Sequence, residues 1–265
     1  MKKSIKAIIA AISASIMCAA PITATVTNPT PKTGITAQAA SDIIHDVAFL
    51  NNNGGLNVIG SGALTYHIVG NNAILYGRYN PVDTVNMPDK IRYNNKLYPV
   101  TEVAPRAFKN AVKTACGEGV YTFRSGKYVK KIGDEAFYGS SLQKITLTYG
   151  LEEIGNRAFA YTNVGSMLNI PGTVKKVNAQ AFKGCDHVEY LFFNGSSATP
   201  LDISSEAFRG LSKLKTIYVS RGNFKANGKY ANDNSIFKDT PSSFDVEYDI
   251  DGDYNNVDEF INRYF

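Results

Sequence analysis

Tryptophan is absent from this chain of 265 residues, and cysteine, histidine and methionine number only three, three and four. The histidines, His45, His67 and His187, are too far apart in sequence to share a metal-ligand spacing. Cys18 falls in the N-terminal leader, which leaves Cys116 and Cys185, too few for a disulfide framework. Cys185 and His187 lie two residues apart in a turn and do not easily form a hydrogen-bonded nucleophile pair. Gly-x-Ser-x-Gly, His-Glu-x-x-His and phosphate-binding glycine loops are all missing. The chain therefore reads as a non-enzyme with no catalytic or cofactor-binding residues.

Long apolar runs are missing too. The stretch Ile8–Ala20 falls short of the ~20 residues a membrane span needs. With Lys2, Lys3 and Lys6 before it and Ala37-Gln38-Ala39 after it, it reads as a secretory signal over residues 1–39, cut after Ala39 or Ala40, or earlier after Ala24. Removing those residues takes away Lys2, Lys3, Lys6 and Lys32 and no acid, so the formal charge falls from +5 to +1. The basic balance belongs mostly to the signal, and nothing in it calls for nucleic acid or an anionic membrane as partner.

What the chain does have is a repeat. Ala-Phe recurs at Ala107-Phe108, Ala136-Phe137, Ala158-Phe159, Ala181-Phe182 and Ala207-Phe208, in steps of 29, 22, 23 and 26 residues. Each unit opens with an apolar-polar-polar-apolar tetrad (Val129/Ile132, Leu151/Ile154, Val174/Val177). A polar residue, the Ala-Phe pair, a turn at Gly139, Gly184 or Gly210, and a second extended piece follow. In that piece Ile145/Leu147, Leu168/Ile170, Leu191/Phe193 and Ile217/Val219 alternate inward. One such coil cannot bury its own apolar face, but stacked coils bury a continuous column. The string V-x-x-I-G-x-x-A-F-x-x-(C/S)-x-x-L-x-x-I-x-(I/L)-P resembles the BspA-type leucine-rich repeat of bacterial surface proteins. The likeness is best at Val129–Leu147 and Leu151–Pro171 and runs from about Leu64 to Val219.

The expected fold is a β-rich α/β solenoid: a right-handed leucine-rich-repeat coil with short parallel strands, little helix and a cap at each end. The expected divisions are the signal (1–39), an N-terminal linker or cap (40–62), a capping β-hairpin region (63–100), the solenoid (101–240) and an acidic tail (241–265). In the second of these, Asp42–Leu50 reads as an amphipathic helical turn and Asn51–Gly55 as a loop. Leu64–Val69 and Ala73–Tyr79 read as a hairpin closing the open end. Ala111–Lys127 reads as a loop or irregular coil breaking the array, and Asn234–Phe237 as a decayed last coil.

Two surfaces stand out. If Leu191 and Phe193 point inward, Tyr190 and Phe192 point out, and Thr216 and Tyr218 do so on the next strand. Met167 and Asn169, with Lys144 and Thr146, extend these two columns. Exposed Tyr190, Phe192 and Tyr218 would form an aromatic ligand surface, joined by Met167 and Lys144. The second surface is the tail, where Asp249, Asp251 and Asp253 alternate as a calcium loop does. With the helix-like Val257–Phe265 it resembles half of a dockerin, although Asp258 and Glu259 fall short of the twelfth position where a bidentate acid is wanted. The family resemblance implies a secreted or cell-surface protein that recognises an extracellular protein or glycan through its strand face, as a monomer without membrane insertion. The tail offers the alternative, a module tethered to an extracellular assembly through calcium.

Overall fold

Each Ala-Phe pair sits on a corner whose backbone is left-handed at two places. A computed structural model describes residues 44–46, 48–53, 56–61, 64–78, 82–112, 119–194, 201–220 and 235–250. In it the residue before each Ala has positive φ: Arg106 (61°), Glu135 (55°), Arg157 (52°), Gln180 (58°) and Glu206 (55°). Four residues later φ is positive again, at Asn110, Gly139, Tyr161, Gly184 and Gly210. Glycine adopts this conformation without steric cost, whereas the other residues carry strain that the surrounding packing must hold. Between the two points, the Phe N–H of one coil donates to the Ala carbonyl of the next: Phe137 to Ala158 at 2.7 Å, Phe159 to Ala181 at 2.8 Å and Phe182 to Ala207 at 2.8 Å.

The Phe rings stack into one column. Phe108, Phe137, Phe159, Phe182 and Phe208 have successive centroids 5.0, 5.3, 5.1 and 5.4 Å apart, with interplanar angles of 11° or less. Phe237 continues the column at 5.5 Å from Phe208. The N–H groups of Glu206, Phe208 and Gly210 donate to the carbonyls of Ser235, Ile236 and Lys238, so the stretch expected to be a decayed coil is a true sixth corner. These spacings are close to the ~4.8 Å between strands, so each coil advances by one strand width.

On one side of the column, the last two residues of the tetrads pair in parallel. The order is Lys96–Val103, Lys131–Ile132, Glu153–Ile154, Lys176–Val177 and Asp202–Ile203. At the N-terminal end the antiparallel strands Ala48–Asn53, Leu56–Ser61, Leu64–Val69 and Asn72–Arg78 extend this sheet. The expected hairpin is present, with Tyr66 and Leu75 fully buried, and the sheet continues past it through Leu56–Ser61 and Ala48–Asn53. Where a helical turn and a loop were expected, over 42–55, the described residues form the strands Ile44–Asp46 and Ala48–Asn53. One isolated helical turn is marginal in water, and the sheet edge offers backbone partners. Among the described residues there is no helix, so none is long and apolar enough to cross a membrane.

The outward residues of the tetrad sheet alternate in sign across the coils. Register places Glu102, Lys131, Glu153, Lys176 and Asp202 side by side. In the adjoining column Glu152 binds Lys130 at 3.0 Å and Lys175 at 2.6 Å. At the corner Glu135 binds Lys109 at 2.8 Å and Arg106 at 2.9 Å. These lysine and arginine partners hold the carboxyls of Glu152 and Glu135 below the usual range. A carboxylate favoured in the folded state contributes stability above its unfolded pKa and loses it as pH falls through the folded one. The urea midpoint should therefore drop on acidification from about pH 6 to about pH 3. Glu152→Gln should flatten that slope, and an exposed pair of this kind is worth about 0.2–1 kcal/mol. An identical slope in wild type and variant would contradict this.

Candidate functional site

The other sheets arise from the second extended piece of each coil. Met167–Ile170, Tyr190–Phe193, Thr216–Ser220 and Asp245–Ile250 run parallel in that order. Leu168, Leu191 and Ile217 share one inward row, all fully buried. Outward, register aligns Met167, Tyr190, Thr216 and Asp245 in one row and Asn169, Phe192, Tyr218 and Glu247 in the next. The columns expected from sequence are therefore present from Met167 and Asn169 onward, with a fourth strand that had been read as acidic tail.

The expected aromatic patch forms and packs separately from the main core. Phe192 and Tyr218 are its buried members, with Met167 and Tyr190 against them. Phe192 and Tyr218 stack at 4.8 Å and 6°, and Tyr190 lies 6.4 Å from Tyr218. The exposure expected of them is not found, since Phe192 is 3% and Tyr218 8% exposed. Each ring turns a face to its neighbour, as cross-strand aromatic pairs do. Burial first, and then the Glu247 carboxylate, raise the Tyr218 hydroxyl above its ordinary pKa. Lys215 lies 5.8 Å from the Tyr190 ring centroid and 2.6 Å from Glu189, which raises its pKa.

Lys144 does not join the patch. Lys144–Thr146 belongs to a separate sheet with Thr122–Arg124 and Thr84–Asn86. The reason is length: Lys144 comes seven residues after Phe137, whereas Met167, Tyr190 and Thr216 come eight after their own Phe. One missing residue shifts the strand register, and a hydrogen bond from Gly165 N–H to the Gln143 carbonyl, 2.7 Å, links the two coils there. The stretch expected to be irregular, 111–127, supplies Thr122–Arg124 and the buried Phe123, while residues 113–118, Cys116 among them, lie outside the described ones.

The remaining candidates are quiet. Cys185 is free and fully buried, its thiol pushed up to about 11 by burial, with Sγ 3.2 Å from the Phe159 carbonyl. Such a thiol is an inert core group. His187 Nδ1 is 2.8 Å from the Asp186 carboxylate on the surface. Among the described residues, no three His, Cys, Asp or Glu side chains gather to hold a metal. Asp249 falls in the last strand, and Asp251 and Asp253 lie outside the described residues, as do 1–39. A groove of about 720 Å³ runs along the corners past Arg106, Glu135 and Arg157. Its arginines are already engaged, Arg106 with Glu135 and Arg157 with Gln180.

The sequence pattern of the BspA type leucine rich repeat region matches residues 101–238 in six copies. Among solved structures, the chain is similar to the pneumococcal vaccine antigen PcpA, with 22% identity over 72% of this chain and 50% of that one, and a TM-score of 0.53. It is also similar to a leucine-rich repeat protein of T. pallidum, with 22% identity over 58% of this chain and 68% of that one, TM-score 0.49. A leucine-rich cell surface protein of Faecalibacterium prausnitzii shows 18% identity over 61% of this chain and 54% of that one, TM-score 0.40. The chain spans about half the length of the pneumococcal and Faecalibacterium proteins, 50% and 54%. No curated protein sequence matches it. No enzyme family is indicated.

Proposed function

The chain belongs to the BspA-type leucine-rich repeat family, and from that premise we propose that it recognises an extracellular protein or glycan through its strand face. The setting is the outside of a bacterial cell, at the surface or released from it, in adhesion or matrix contact. The observation that carries this reading is the outward cluster of Met167, Tyr190, Phe192 and Tyr218. It presents half-buried Tyr190 and Met167 over the buried Phe192–Tyr218 pair, separate from the Phe column that holds the fold together. Aromatics of this kind dominate binding energy where they occur in interfaces. The signal-like leader and the likeness to a bacterial vaccine antigen support the extracellular setting.

The test is Tyr190→Ala combined with Tyr218→Ala. Wild type is screened against extracellular matrix proteins, plant glycans and neighbouring bacterial surfaces, and the double variant is measured on whatever binds. Affinity should fall about tenfold or more, the loss of one hot-spot group. Tyr190→Ala alone, at a half-exposed position, separates lost contact from a disturbed sheet. Unchanged binding by a folded double variant would remove this face as the site.

A further inference from the structure

The strand face is polarised along the array. Register across Thr84–Asn86, Thr122–Arg124 and Lys144–Thr146 gives outward rows of Thr84, Thr122 and Lys144, and of Asn86, Arg124 and Thr146. Arg124 and Lys144 are exposed, and these rows contain no acid. The middle of the face is the apolar cluster of Met167, Tyr190, Phe192 and Tyr218. The far end is the strand Asp245–Ile250, where exposed Asp245 and Glu247 stand two residues apart on the same face. From the N-terminal coils to the last strand, the surface therefore runs basic, aromatic, acidic.

At the acidic end a recess of about 490 Å³ opens beside Asp245, lined by Tyr190, Thr216, Phe244 and Lys215 among others. Lys215 already lies over Tyr190 and pairs with Glu189, so what the recess offers a cationic side chain is the Asp245 carboxylate beside Phe244. A sugar needs an open ring face to stack on. Here Phe192 and Tyr218 stack on each other and are only 3% and 8% exposed, and Lys215 lies over Tyr190. The aromatics form a floor, and the charges at the two ends face outward.

Resting on the reading of this face as a binding surface, we propose that its partner is an extended, charge-polarised protein segment, with its basic half over Asp245 and Glu247 and its acidic half over Arg124 and Lys144. The strands involved, at about 4.8 Å each, span roughly 20–25 Å, the length of about seven extended residues. Charge complementarity of this kind fixes the register and direction of a bound segment.

The probe is a fluorescein-labelled dodecapeptide with glutamates at one end, lysines at the other and threonine and valine between. Its control has the same composition with the charges alternating. At low salt the block peptide should bind at least about fivefold tighter than the control, and the difference should shrink as the screening length drops toward about 3 Å at 1 M salt. Asp245→Lys with Glu247→Lys should weaken block-peptide binding about five- to tenfold, as should Arg124→Glu with Lys144→Glu. Combining all four substitutions should restore affinity to within about twofold of wild type, since the peptide then binds in the opposite direction. Equal binding of the two peptides overturns the proposal, as does indifference to either single-end reversal or failure of the combined variant to recover. The broader reading is separable: a partner found in the screen that is lost with Tyr190→Ala but not with the charge reversals keeps the face and discards the polarised segment.

Discussion

Phe159→Ala is expected to cost about 3–5 kcal/mol, the range for removing a fully buried aromatic ring. Phe159 is 0% exposed and stacks between Phe137 at 5.3 Å and Phe182 at 5.1 Å. Set against a total stability of about 5–15 kcal/mol, that loss puts the array near its limit at room temperature. Position matters as well as ring size. In a solenoid each coil touches only its neighbours, so a central coil carries two interfaces and a terminal one a single interface. Among the described residues, Phe237, at the last corner and 6% exposed, has one stacked Phe neighbour, Phe208, and a tilted contact with Phe244. Phe237→Ala should therefore lower the urea midpoint clearly less than Phe159→Ala. Equal losses at the two positions, or a loss below about 1 kcal/mol at Phe159, would contradict a cooperative Phe column.

The column was legible in sequence because a repeat puts the same residue in the same environment in every coil. One Phe read correctly located the others, and the alternation beyond it located the outward rows. The left-handed corner was less visible. Its first position is held by Arg106, Glu135, Arg157, Gln180 and Glu206, with no glycine to mark it. At the second position Gly139, Gly184 and Gly210 gave the turn away, while Asn110 and Tyr161 did not. The strand Thr122–Arg124 was hidden because residues off the period precede it. The displacement of Lys144 came from a coil one residue short, which matters only once strands are paired. The acidic end of the face was read as part of an acidic tail over 241–265. Its signal was the alternation of Asp245 and Glu247 with Val246 and Tyr248, the two-residue period of a strand.

Gly133→Ala should destabilise the fold by about 1–3 kcal/mol, although it adds a single methyl group. Gly133 follows Ile132 in the tetrad strand, and its N–H donates to the Val103 carbonyl of the preceding coil at 2.8 Å. A Cβ there would lie 2.5 Å from Pro105 N and 2.7 Å from both the Ala104 carbonyl carbon and the Val103 oxygen. All three are backbone atoms, so no side-chain rotation relieves the overlap. Relief requires the two coils to separate by about the shortfall from a van der Waals distance near 3.5 Å. That movement would stretch the Gly133–Val103 hydrogen bond and the adjoining Lys131–Ile132 pairing with Glu102 and Val103. The requirement is shared by the next coil, where a Cβ on Gly155 would lie 2.7 Å from Asp134 N and from the Gly133 carbonyl carbon, and ends there. Asn178 and Ser204 hold the equivalent place in later coils, and Asn178 uses its side chain to donate to the Ile154 carbonyl at 3.0 Å and to Glu153 at 2.9 Å. Gly165 provides the graded comparison, since a Cβ there meets only the Gln143 carbonyl oxygen at 3.3 Å. Gly165→Ala should change the urea midpoint little, while Gly133→Ala lowers it with an unchanged slope and an unchanged far-ultraviolet spectrum. If both variants melt with wild type, the coils are looser at this seam than the 2.5 Å approach implies, and close backbone contact is not what selects glycine after Ile132.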